Sequence, residues 1–334
     1  MRRQIQLFSV TGLAPNAPWF ATGGDFEASY LGTCGADQDL VLQSAPYAFR
    51  FGAERLLNVV YESRESLLNA TFLYEHQQKA ARTLVSIPYE SLADVAWEVT
   101  PDEAAPCFVF SMGRCGSTLL SKLLGGMGLP SLSEPDVFTQ YSMALPKAGA
   151  VPGFDHIHSV FGYVVSSLLS AAGSATGAIK FRAQTNSMAD QLMTALPKAR
   201  GLMLVREFDA WASSLYRTFS FVPETIADTL ACAHQAVHAC SQVGRPLELV
   251  RYEDLCERPL ERLQELGQKL GVAVDEANES RIRQILSEDS QADTPLGREA
   301  KRGVDVPEGF LSEVRQQWAV RKAHLEGQGV VFQF

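Results

Sequence analysis

The 334-residue chain is short of several things, and each shortage removes a class of protein. It has no apolar run near the roughly 20 residues that a membrane-spanning helix needs, so no membrane span is expected. It lacks an excess of positive charge. Its 29 lysines and arginines stand against 38 aspartates and glutamates, and the net charge of -9 has the wrong sign for a general nucleic-acid binder. No nucleic-acid partner is expected, although a local basic pocket for a small anion remains compatible. Six cysteines, at 34, 107, 115, 232, 240 and 256, include no CxxC pair and are too few for a disulfide framework in a chain this long. A reducing cytoplasm is the simplest setting. Repeats and low-complexity tracts are absent. The opening MRRQIQLFSVTGLAPNAP is too polar and broken for a secretion signal and reads as a first β-strand.

What is present is an ordinary globular composition, 46% hydrophobic and 20% charged, sufficient for one large domain or two smaller ones. A proline- and acid-bearing stretch, Thr100 to Pro106, reads as a linker. It separates an N-terminal α+β accessory region of unassigned role, residues 1–102, from a domain over 103–334. In the first region Asp25 to Leu31 and Leu40 to Phe51 look like strands. Glu54 to about Arg82 reads as helical, with Leu56, Leu57, Val60, Leu67, Leu68 and Phe72 on one apolar face. In the second, strands over Phe108–Ser111, Ala178–Phe181, Gly201–Val205 and Leu247–Val250 alternate with helices. The helices are marked by Leu119 to Met127, Met188 to Leu196, the stretch through Trp211 and Leu215, Pro223 to about Gln242, and Leu260 to Leu270. Such β-α alternation predicts a three-layer α/β sandwich around a mainly parallel sheet, like that of P-loop nucleotide-binding proteins. Ligands in such sheets lie at the carboxyl ends of the strands, where the 112–118 segment, Arg206 and Arg251-Tyr252 fall. The tract CAHQAVHAC, Cys232 to Cys240, puts His234 and His238 on one helix face. Its alanine-rich surroundings favour a buried structural helix over a metal site, and no metal is expected.

The segment FVFSMGRCGSTLLSKLL, Phe108 to Leu124, runs from an apolar strand through a tight polar loop into a helix. It is built like a phosphate-cradling loop but departs from GxxxxGK[ST]: Ser117 stands where the lysine belongs and Ser111 where the first glycine belongs. Small residues still let backbone N–H groups converge at a helix N-terminus, and Arg114 supplies the positive charge. A glycine turn before a buried helix is the plainer alternative.

At this point the residues resemble the sulfotransferase superfamily, whose members use 3′-phosphoadenosine-5′-phosphosulfate. The family's first signature is a strand, a basic residue, a small residue, Gly-[ST]-[ST] and a helix. Here it is matched by Arg114, Cys115, Gly116, Ser117 and Thr118, which the resemblance assigns to the 5′-phosphosulfate. The arginine-bearing form looks like the carbohydrate, tyrosylprotein and related bacterial branches. A second stretch, GLMLVREFDAWASSLYR from Gly201 to Arg217, resembles the 3′-phosphate segment, with Arg206 and Ser214 at the family's eight-residue spacing. Glu207-Phe208 departs from the family's usual Asp-Pro or Asn-Pro. A third, LELVRYEDLCERPLERLQELGQKLGV from Leu247 to Val272, resembles the segment whose tyrosine lies near the adenine, here Tyr252. Lys301-Arg302-Gly303 echoes a loop that closes over the 3′-phosphate, which implicates Arg302. Taken singly, Arg206 would serve as well in a strand-end ion pair, Tyr252 as a core residue and Arg302 as a solvated charge. The resemblance covers roughly the last 230 residues.

It implies transfer of a sulfuryl group to a hydroxyl or amine of an unidentified acceptor, with 3′-phosphoadenosine-5′-phosphate as product and no required metal. A transferred sulfuryl group carries less negative charge than a phosphoryl group and calls for fewer cations. The histidine that cytosolic members use as base is missing from Ala178–Arg182, although Lys180 is present to assist the leaving group. Glu134, in LSEPDVF, matches the glutamate that tyrosylprotein and some carbohydrate members place after the first helix. Such a carboxylate accepts a proton where burial raises its pKa. The plainer alternatives are a helix-capping or salt-bridging carboxylate for Glu134 and a strand-end surface lysine for Lys180. His156 and His158 are the reserve candidates. The alternatives are a P-loop small-molecule kinase, which would need a magnesium-binding acid, and a non-catalytic nucleotide-binding protein.

Overall fold

A computed structural model of the chain describes residues 3–15, 19–146, 157, 159–289 and 304–334. The chain begins with β1 (Ile5–Leu13), β2 (Phe26–Cys34), α1 (Asp39–Leu42), β3 (Ser44–Arg50), β4 (Arg55–Val60), α2 (Arg64–Leu68), α3 (Leu73–Ala80) and β5 (Thr83–Pro88). It continues with β6 (Cys107–Ser111), α4 (Ser117–Gly126), β7 (Ser131–Ser133), α5 (Val137–Ala144), α6 (Phe161–Ala172), β8 (Ala178–Lys180), α7 (Ala189–Ala195) and β9 (Arg200–Val205). The remainder is α8 (Phe208–Phe219), α9 (Pro223–Gln242), β10 (Glu248–Arg251), α10 (Tyr252–Glu257), α11 (Pro259–Leu270), α12 (Glu276–Ser287) and α13 (Phe310–Gly327). Among the described residues no helix is long and apolar enough to cross a membrane.

Two five-stranded sheets result. One has the order β2-β1-β5-β4-β3 and is antiparallel throughout; the other has the order β10-β9-β6-β8-β7. The pairs β10·β9, β6·β9 and β7·β8 are all parallel, as the β-α alternation predicts. The fold is α/β with a parallel sheet and a separate antiparallel one. Contacts divide the chain into two compact units. Unit 1 comprises 1–106, 130–184 and 195–199; unit 2 comprises 107–129, 185–194 and 200–334.

In unit 1 the antiparallel sheet carries a core of Tyr47, Leu57, Val59 and Leu84, with Phe8, Val10 and Phe26 packed against it. Burying an aliphatic side chain of this size contributes about 1.5–3 kcal/mol. At Phe49 the edge strand β3 meets a side chain rather than another strand. Gln140 of α5 accepts from the Phe49 N–H at 2.6 Å and donates to the Phe49 carbonyl at 2.9 Å, which satisfies both backbone groups of that residue. The expected helix over Glu54–Arg82 is corrected: Arg55–Val60 is strand β4, followed by the short helices α2 and α3. The physical reason is that β4 is an inner strand buried on both faces, so Leu56, Leu57 and Val59 show no alternation and mimic a helical run. Likewise Leu40–Leu42, expected to open a strand, belong to the single helical turn Asp39–Leu42.

Unit 2 follows its sequence signals closely. Pro223 opens α9 and Pro259 opens α11 at positions where the missing N–H is not needed, and Gly271 closes α11 with φ of 74°. Strands β6 and β9 are buried apolar runs, with Phe108, Val109, Phe110, Met203 and Leu204 all at 0% exposure.

Candidate functional site

Register sets the site in unit 2. Ser111, the last residue of β6, pairs with Leu204, and Val205, the last of β9, pairs with Arg251, the last of β10. Three level strand ends therefore release the 112–116 loop, Arg206 and Tyr252 side by side. This is the carboxyl edge at which open α/β sheets take ligands.

The loop turns through left-handed backbone at Gly113 (φ 70°), Arg114 (φ 54°) and Gly116 (φ 90°). For a non-glycine residue such as Arg114 that conformation costs about 1–2 kcal/mol, so something must hold it. Side-chain donors do. Asn186 donates to the Ser111 carbonyl at 3.0 Å, and the Trp211 indole N–H to the carbonyls of Met112 (3.3 Å) and Gly113 (2.9 Å). Arg206 Nη1 donates to the Arg114 carbonyl at 3.2 Å. The Gly113 N–H donates to Ser111 Oγ at 3.3 Å, and Cys115 Sγ to the Leu204 carbonyl at 3.3 Å. Four successive carbonyls are thus held by protein donors. Because C=O and N–H oppose one another across a planar peptide, the amides that follow the 113 and 114 carbonyls turn the other way. They lead into the N-terminus of α4, where Ser117 and Thr118 are buried. A run of amides ending at a helix N-terminus is an arrangement that holds anions.

Two arginines flank it. Burial, and then the like charge of Arg206, lower the pKa of Arg114 from its ordinary value. The Arg206 guanidinium lies 4.7 Å from the centre of the Tyr252 ring, and its Nε is buried with no hydrogen-bond partner among the described residues. No carboxylate of the described residues forms an ion pair with it. Tyr252 also packs on Gly116, where a Cβ would sit 2.3 Å from the ring. Gly116 is therefore required both by its φ and by its neighbour. At the start of α8, the Glu207 carboxylate accepts from the N–H groups of Asp209 (3.0 Å) and Ala210 (2.8 Å), and Glu253 accepts from the Glu207 N–H at 3.0 Å. Glu207 is the N-cap of α8. Ser214 follows on α8 and is half-buried.

Glu134 and Lys180 belong to unit 1. Glu134 also has left-handed backbone, φ 59°, and its N–H donates to the Lys180 carbonyl at 2.7 Å. Its carboxylate is ion-paired with the buried Lys180 ammonium and lies 3.8 Å from Arg182 Nε. Arg182 reaches both oxygens of buried Asp136 at 3.1 Å and is flanked by the rings of Trp19 (4.8 Å) and Tyr74 (4.9 Å). Glu134 is thus one of two carboxylates meeting two cations, rather than an isolated acid.

The structure brings Arg114, Cys115, Gly116, Ser117, Thr118, Arg206 and Tyr252 together in unit 2 and pairs Glu134 with Lys180 in unit 1. Arg302, His156 and His158 lie outside the described residues. Asn186, Trp211 and Arg182 were missed by sequence reasoning. Trp211 sits inside the arginine-serine segment and Arg182 two residues past Lys180, whereas nothing in the sequence marks Asn186. His234 in α9 is buried and stacked on Trp318 and Phe334, and burial, helped by Lys322, pushes its pKa down to about 4. Among the described residues no three His, Cys, Asp or Glu side chains gather as a metal site would need.

No protein-family model and no curated protein matches the chain. Several solved structures resemble it. The sulfotransferase domain from the Synechococcus PCC 7002 olefin synthase is 21% identical over 65% of this chain and 94% of that one, with a TM-score of 0.43. Sulfotransferase STF1 from Mycobacterium tuberculosis H37Rv is 17% identical over 70% of this chain and 79% of that one, with a TM-score of 0.41. Retinol dehydratase, solved with androsterone and the inactive cofactor PAP, is 13% identical over 72% of this chain and 86% of that one, with a TM-score of 0.34. These are likenesses below the level at which a shared fold follows.

Proposed function

We propose that the chain is a sulfotransferase that uses 3′-phosphoadenosine-5′-phosphosulfate and acts on an acceptor hydroxyl or amine. The observation that carries this reading is the loop of carbonyl-clamped peptides beside Arg206, a guanidinium with no carboxylate partner among the described residues. Such a pair suits the two anionic ends of one nucleotide. The 5′-phosphosulfate would be held by Arg114 and the backbone of Cys115, Gly116, Ser117 and Thr118, and the 3′-phosphate by Arg206 and Ser214. Tyr252 would border the adenosine, and Arg302 would add charge at the 3′ end. When bound, the donor would supply an activated sulfuryl group.

The chain's own residues do the rest. Arg114 and the loop amides neutralise charge on the oxygens around sulfur. Glu134 takes the acceptor proton, and Lys180, its ion-pair partner, stabilises the leaving oxygen. The charge to be offset is smaller than in phosphoryl transfer, in keeping with Ser117 in place of the P-loop lysine.

Calorimetry with 3′-phosphoadenosine-5′-phosphate, run beside ATP with magnesium, tests the reading. Tight binding of the first and weak binding of the second is expected, followed by sulfuryl transfer across a panel of hydroxyl and amine acceptors. Binding of magnesium-ATP alone would replace the reading with a kinase. Nucleotide binding without any turnover would replace it with a non-catalytic binder.

A further inference from the structure

We infer that Trp211 and Asn186 are positioning residues, a rear clamp that sets the direction of the anion-facing amides. The inference rests on the nucleotide reading above and extends it to residues that need not touch ligand. Trp211 is 0% and Asn186 2% exposed, and between them they hold the carbonyls of Ser111, Met112 and Gly113. The loop backbone is left-handed at three positions, so it needs an external restraint, and these two side chains supply three of its four side-chain-to-carbonyl bonds. Trp211 also stands five residues beyond Arg206, on the helix that carries Ser214. The segment assigned to the 3′ end of the nucleotide therefore also shapes the loop assigned to the 5′ end.

The variant Trp211→Phe keeps a ring and removes the donor, which leaves two inward carbonyls short of a partner. Three probes separate positioning from general damage: 3′-phosphoadenosine-5′-phosphate, adenosine 5′-phosphate and adenosine 3′-phosphate. Removing a hydrogen bond of this kind should weaken the two 5′-phosphorylated probes by about 3- to 10-fold and leave adenosine 3′-phosphate unchanged. Asn186→Ala should give the same pattern with a smaller loss, and it carries the test if Trp211→Phe does not fold. Unchanged affinities, or equal losses across all three probes, would overturn the inference. Amide hydrogen exchange on the ligand-free protein reads the clamp without any nucleotide. Exchange should quicken at 113–117 in the variant and stay unchanged along β6, and loop protection equal to wild type would sink the clamp. If the wild-type protein binds none of the probes, the sulfotransferase reading fails while the exchange result still decides the clamp.

Discussion

Two ionisable clusters, one in each unit, are built in opposite ways. In unit 1, Lys180 and Arg182 are matched by Glu134 and Asp136, and aromatic rings flank the guanidinium of Arg182. In unit 2, Arg206 has a carbonyl and a tyrosine ring for company, Arg114 lies within reach of its like charge, and His234 is kept neutral among aromatic rings. The Arg182–Asp136 pair is a structural joint that gains nothing from an added ion. Arg206, without a carboxylate partner among the described residues, is a standing demand for one, and it sits where the strands end. In a protein of net charge -9, this unmatched cation stands beside the candidate anion loop.

The contrast can be broken from either side. The largest effect is expected in unit 1. Arg182→Met leaves Asp136, at 0% exposure, buried without its cation, and should reduce unfolding free energy by about 3–5 kcal/mol in urea titrations. A loss below about 1 kcal/mol would show that pairing does not hold this region together.

Next comes acid sensitivity from unit 2. Unfolded His234 binds a proton near its ordinary 6.5, but the folded chain does so only near 4. The unfolded state therefore takes up more protons between those values. Stability should be full above pH 6.5 and fall by roughly 3 kcal/mol as the pH drops to 4. Denaturation midpoints of wild type and His234→Phe across that window measure it, since the variant should lose most of this slope.

Smaller again is Arg206→Ala, expected to weaken 3′-phosphoadenosine-5′-phosphate by about 10- to 100-fold. Adenosine 5′-phosphate should weaken far less, and equal losses for both would detach Arg206 from the 3′-phosphate. Smallest is Glu207→Ala, which removes the α8 cap and should lower stability by about 1 kcal/mol, read as a shift in thermal midpoint.

Four strands of the parallel sheet, β6, β8, β9 and β10, were legible because they are short apolar runs between helical stretches, and prolines mark the starts of α9 and α11; the three-residue β7 was not read. The antiparallel unit was less so. β4 loses the alternation that betrays a strand when it is buried on both faces, and the turn at Asp39–Leu42 is too short to show periodicity. At the site, the loop and Arg206 could be read from local pattern. Their supports could not: Asn186 meets Ser111 across 75 positions and Trp211 meets Gly113 across 98. Spacing within a motif carries no trace of partners that distant.

The rear-held loop has a consequence for protein engineering. The hexapeptide from Gly113 to Thr118, grafted onto a foreign strand–helix junction, would travel without the indole and carboxamide that fold it into a cup. A transplant would need the second segment, from Asn186 through Trp211, to arrive in the same orientation. The portable module is therefore a pair of strands with their exits, and libraries that randomise the short stretch alone would sample letters while losing the mould.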